Sequence, residues 1–116
     1  MTVNELRTAF RHELEQGDRD KAKALLADYA EFTPFLAVGN AVLASADGDH
    51  PLAARMVGVA DTAYPTSDAT PEPEDAADLA KVSAAAVEAL GESQFADYRA
   101  DGALWDLADW RSSMGN

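Results

Sequence analysis

The stretch GDRDKAKALLADYAEFTP, residues 17–34, returns 31 residues later as GDHPLAARMVGVADTAYP, residues 48–65. In register, Gly17, Asp18, Ala22, Leu26, Tyr29 and Pro34 fall on Gly48, Asp49, Ala53, Val57, Ala60 and Pro65. Each position has a chemical reason to recur. Gly-Asp supplies a tight turn and the cap of the next helix. A small Ala lets two helices approach, the apolar residue four places on fills the gap, and Pro ends the unit. A period of this length marks one supersecondary unit stacked on its copy, here a helix pair. Carried one period further, the register puts Glu88 and Gly91 where apolar and small residues belong. The repeat is therefore expected to stop after two copies.

Outward from the repeat, helical periodicity is nearly continuous and strand signals are absent. Val3, Leu6, Phe10 and Leu14 make one apolar stripe ending at Gln16-Gly17, and a second helix carries Ala22, Leu25, Leu26 and Tyr29. Thr33-Pro34 reads as an N-cap with Pro at the first helical position, opening a third helix with Phe35, Leu36, Val42 and Leu43. A fourth opens around Asp49-His50-Pro51. Tyr64 to Pro73 (YPTSDATPEP) reads as a loop, with three prolines and few apolar side chains. A fifth helix, from about Glu74 to Leu90, places Leu79, Val82, Ala86 and Leu90 on one face. The acids Glu72, Glu74, Asp75 and Asp78 crowd its first turns, where negative charge complements the helix dipole. Gly91 ends it. A short sixth helix with Phe95 and Tyr98 stops at Gly102, and Leu104 to about Met114 forms a last amphipathic segment. The expectation is one all-α domain, residues 1–116, of about six to seven helices in antiparallel pairs, forming a short right-handed array or bundle. Residues 1–63 supply two repeat-like pairs, 64–73 a loop and 74–116 a helical cap.

Bulk properties narrow the function. The chain has 116 residues, no Cys and a formal charge of −12, with nine acids against six bases in residues 1–58 and twelve against three in 59–116. Phosphate binding needs clustered Lys and Arg, so direct nucleic-acid binding is disfavoured. The N-terminal stretch is charged from Glu5 onward without an apolar signal-peptide core. No window approaches the ~18 apolar residues that would suggest a membrane span. A soluble, cytoplasmic protein without membrane contact is expected.

The Ala, apolar, small and Pro spacing resembles the second half of the tetratricopeptide repeat. Val38-Gly39-Asn40-Ala41 is similar to the Leu-Gly-Asn-Ala stretch of that family's first helix. The chain departs from the family in having Phe10 at the small-Gly position of its first unit, and Gly39 to Gly48 runs two residues long. A second resemblance covers residues 36–104. Leu36 to Gly39, Pro51 to Asp61, Ala89-Leu90-Gly91-Glu92-Ser93-Gln94-Phe95 and Ala100 to Leu104 look like the C-terminal helical region of large bacterial ATP-binding regulators with LuxR-type DNA-binding ends. Trp105 stands where that family tends to place a polar cap. The nucleotide- and DNA-binding parts of those proteins have no counterpart here. The resemblance implies a protein-contacting, regulatory helical piece.

Chemistry-bearing motifs are sparse. His12 and His50 are 38 residues apart, and neither has a partner at metal-ligand spacing. Carboxylate pairs such as Asp47/Asp49 and Asp97/Asp101 arise freely among 21 acids. No EF-hand, phosphate loop, Gly-x-Ser-x-Gly or His-Glu-x-x-His occurs. No catalytic residue, metal or cofactor is expected. The tetratricopeptide resemblance implies a peptide groove with Asn4, Arg7 and Arg11 from the first unit and Asn40 from the second. Two arginines one turn apart suit carboxylates; the structural alternative is that Arg11 pairs with Glu15 and Arg7 with a nearby acid. Gly39 and Gly58 read as sites of close helix crossing. In the last segment Leu104, Leu107 and Ala108 make a stripe flanked by Trp105 and Trp110, which caps the array or offers a surface to a partner or dimer mate. The leading expectation is a non-enzymatic protein-binding module. The alternatives are an acidic inhibitor that occupies a basic site and a small helical enzyme.

Overall fold

The Gly-Asp turns organise the first half. The computed structural model describes residues 2–29 and 33–105. α1 (Val3–Glu15) and α2 (Arg19–Asp28) are joined through Gly17, and α3 (Phe35–Ala46) and α4 (His50–Thr66) through Gly48; both glycines have φ +79°. The Asp after each glycine donates its amide five residues back, Asp18 to the Glu13 carbonyl and Asp49 to the Ala44 carbonyl, both at 2.9 Å. Its side chain then caps the next helix, Asp18 accepting from the Lys21 amide and Asp49 from the Leu52 amide. These are Schellman turns fused to N-caps. The two predicted units therefore share one hydrogen-bond pattern at their turns.

A third turn of the same kind follows without a glycine. Asp68 stands at φ +52°, its amide donates to the Pro65 carbonyl at 3.1 Å, and Ala69 donates to the Tyr64 carbonyl at 2.9 Å. α4 consequently runs through Pro65 to Thr66, and the expected loop at 64–73 shrinks to residues 67–72 before α5 (Pro73–Leu90). The reason is burial: Tyr64 is only 8% exposed, so packing holds the chain helical, and Pro65, next to the helix end, removes one helix bond without ending the helix there. α6 (Glu92–Ala103) runs past Gly102 by one residue. Another difference lies at α3, whose N-cap is Pro34 itself and which no side chain caps. Leu104, expected on an apolar stripe, follows α6 and is 84% exposed. Beyond Trp105 the expected last segment, Trp110 included, lies outside the described residues.

No strand occurs among the described residues, and none of their helices is long and apolar enough to cross a membrane. All extensive packing joins a helix to the next or the next but one: α1 to α2 and α3, α2 to α3, α3 to α4 and α5, α4 to α5 and α6, and α5 to α6. The repeat signature ends with α4; beyond it α5 packs on α3 and α4, and α6 mainly on α4. α3 and α4 form the centre, with Leu36, Val38, Ala41, Ala53, Ala54 and Met56 all buried.

Close crossings depend on glycine. A Cβ on Gly39 would lie 2.8 Å from Leu26 Cδ1, so α2 packs directly over α3 there. At the α4–α6 crossing the approach is backbone to backbone: a Cβ on Gly58 would meet the Arg99 carbonyl oxygen at 2.0 Å, and one on Gly102 the Arg55 carbonyl oxygen at 1.9 Å. Gly102, expected as a helix stop, is instead a contact residue inside α6.

Candidate functional site

Arg7 and Arg11 are one turn apart on α1, so they share a side, next to the buried Leu6 and Phe10. That side faces the start of α5. Asp75, fully buried, accepts from Arg7 Nε at 3.1 Å and Arg7 Nη2 at 2.9 Å on Oδ2, and from Arg11 Nη2 at 2.8 Å on Oδ1. Arg11 also reaches Asp78 through Nη1 at 2.9 Å, and its Nε lies 3.4 Å from Glu74, within ion-pair range but without hydrogen-bond geometry. Arg7 Nη1 donates to Asn4 Oδ1 at 2.8 Å, and its guanidinium stands 5.0 Å from the ring centre of buried Phe35. Phe35 in turn meets Phe10 edge-on, with ring centres 5.7 Å apart. The arginines thus pair with α5 across 64 to 68 residues of chain, and Arg11 takes these acids in place of the expected Glu15.

The electrostatics are those of a nearly saturated cluster: two guanidiniums face Glu74, Asp75 and Asp78. Burial opposes the charge on Arg11, but Asp78 and then Asp75 outweigh it and hold its pKa above the usual value. Tyr64 borders the cluster. Burial pushes its hydroxyl up from 10 to about 12, with Asp75 adding to the rise, Arg7 opposing it and Glu72 adding again. That hydroxyl is buried without a hydrogen-bond partner.

The other expected site residues divide. Asn4, Arg7 and Arg11 come together. Asn40 does not join them: it is buried inside α3, where its Nδ2 donates to the Leu36 carbonyl at 2.7 Å, so it belongs to the core. Trp105 is half-buried against the core, with the Arg55 guanidinium 5.7 Å from its ring centre, and is not a free exposed ring. Asp75 and Tyr64 were not singled out as site residues. Asp75 had a readable signal, since Asp75, Leu79, Val82 and Ala86 share one helical face, and an acid on an apolar stripe needs a buried partner. Nothing local marked Tyr64.

A second ionic region flanks the α4–α6 crossing. Arg55 Nε donates to Asp101 at 2.8 Å and Arg99 Nη2 to Asp61 at 3.0 Å, so each helix offers an arginine to the other's acid. Arg55 also covers Tyr98, with 4.8 Å to the ring centre. On α1, Asn4, Glu5, Thr8, Ala9, His12 and Glu13 line a shallow depression of about 690 Å³. Among the described residues no three of His, Asp or Glu are grouped to hold a metal ion. The chain matches no protein-family model, no curated protein and no solved structure.

Proposed function

We propose that this chain is a non-enzymatic protein–protein interaction module of tetratricopeptide-like build, with a regulatory role of the kind its resemblance to regulator helical regions implies. One observation carries the reading: the first two helix pairs are turned by the same Gly-Asp motif, and extensive packing joins each helix only to the next or the next but one. Stacked helix pairs create extended surfaces whose use is contact with other chains. The open depression along α1 supplies such a surface at one end of the stack. The test is an amide-shift titration of the ¹⁵N-labelled full chain with short oligolysine and oligoglutamate peptides. Saturable shifts confined to one helix face support the module; hydrolytic or transferase activity that tracks with the purified protein would overturn it.

A second reading, the acidic inhibitor of a basic site, is favoured by a separate observation. All five described arginines are engaged by carboxylates of the same chain. The surplus negative charge is therefore left outside, at residues such as Glu72, Glu88, Glu92 and Asp97. Oligolysine binding that weakens steeply with salt, and falls when Glu72 and Glu74 are neutralised, supports this reading. Asp75 takes no direct part in such a surface, because it is fully buried.

A further inference from the structure

The start of α5 is attached in an unusual way. Between Ser67 and Asp78 only one residue is buried, and it is the charged Asp75. No apolar side chain of this stretch enters the core; the first to reach it are half-buried Leu79 and then Val82. The stretch is held by Arg7 and Arg11, which come from the far end of the sequence. The attachment is also imperfect, because the Tyr64 hydroxyl beside it is buried and unpartnered. A leash of six residues, 67–72, with Pro71 near its end and Asp68 in the left-handed region, joins it to α4.

We propose that the start of α5 is a displaceable latch: Asn4, Arg7 and Arg11, backed by Phe35, form a carboxylate-reading cradle that the chain fills with its own Asp75, and that an acidic helix start of a partner protein takes over. The inference rests on the interaction-module reading and names the partner's chemistry. Removing one member of a buried ion pair is costly because the other is left uncompensated. Exchange recovers that cost, since an incoming carboxylate replaces the outgoing one and the guanidiniums end paired. An apolar anchor would have to be torn from the core to move; this stretch has none. The freed acids Glu74, Asp75 and Asp78 then return to water, where carboxylates are well solvated.

The probe is a synthetic peptide copying residues 70–80, TPEPEDAADLA, titrated into the ¹⁵N-labelled full chain. Apparent affinity scales with the fraction of molecules whose cradle is open. Asp75→Asn is expected to bind the peptide about tenfold more tightly than the native chain, since one latch charge is lost. Glu74→Gln with Asp78→Asn, which leaves the buried carboxylate in place, is expected to give a smaller gain and carries the test if Asp75→Asn does not fold by circular dichroism. Adding Arg7→Gln and Arg11→Gln is expected to abolish the gain. Equal affinity for the native chain and the latch variants would overturn the proposal, as would binding that survives loss of both arginines. Dimerisation of the latch variants without peptide also overturns it, because the cradle then takes a second copy of the chain. Oligolysine binding with no response to the acidic peptide sinks the latch alone and leaves the interaction module standing.

Discussion

Besides the apolar packing of α5 on α3 and α4, two further contacts fasten α5 and α6 to the first four helices, and they differ in kind. At the α4–α6 crossing, Gly58 and Gly102 bring backbone against backbone, and the flanking pairs Arg55–Asp101 and Arg99–Asp61 are largely exposed. At the α1–α5 contact a buried carboxylate is held by two guanidiniums with no apolar anchor in the same turn. The first fastening is steric and short-ranged: it works only if no Cβ intervenes. The second is electrostatic and depends on which charges are present. One end of the pair is thus fixed by shape and the other by exchangeable chemistry.

The comparison breaks most visibly at the glycines. Gly102→Ala is expected to cost about 3 kcal/mol or more, because the clash is with backbone that cannot rotate away. Urea denaturation measures it, and a loss under about 1 kcal/mol would show that the crossing yields easily. Asp75→Asn is expected to cost about 2 kcal/mol, less than a fully buried pair loses when broken, because both arginines keep some contact with water. The distinguishing readout is salt: the gap between Asp75→Asn and the native chain narrows as ionic strength rises, whereas the Gly102→Ala gap does not. Tyr64→Phe is expected to be neutral or to stabilise by about 1 kcal/mol, since it deletes a buried donor with no partner.

Tyr64 also gives an alkaline signature. Below about pH 10 the folded and unfolded chains both keep its proton, and stability does not respond. Between pH 10 and about 12 only the unfolded chain releases it, so stability falls as pH rises through that window. In Tyr64→Phe this part of the decline disappears from the pH dependence of the urea midpoint, and a decline of unchanged steepness would contradict the burial of the hydroxyl. The smallest effect belongs to the control, Arg19→Gln. Arg19 and Asp47 form an exposed pair outside both fastenings, and losing it is expected to change stability by no more than about 0.5 kcal/mol.

Much of the first half was legible because its determinants are local. Gly17-Asp18 and Gly48-Asp49 specify turn and cap within six residues of chain, and the stripe Leu6, Phe10, Leu14 follows directly from helical spacing. Arg7 and Arg11 were legible as a pair for the same reason. Their partner was not: the acids at the start of α5 had an adequate local explanation in the helix dipole, and that explanation hid the place of Asp75 on the buried face. Tyr64-Pro65 misled in the opposite direction. Proline composition signalled a loop, while burial of the neighbouring ring kept the helix going.

Sequence by itself determined an all-helical chain, the two Gly-Asp turns and the close approach at Gly58, all consequences of backbone preferences acting over a few residues. Tertiary structure alone decided that α5 packs on α3 and α4, and α6 mainly on α4, after the repeat signature ends. It also decided that Arg7 and Arg11 spend their charge on Asp75, and that Gly102 serves a crossing instead of a helix end. The physical reason is distance along the chain. These contacts join residues 47 to 68 positions apart, and neither helix propensity nor a single stripe carries information about which distant face it will meet.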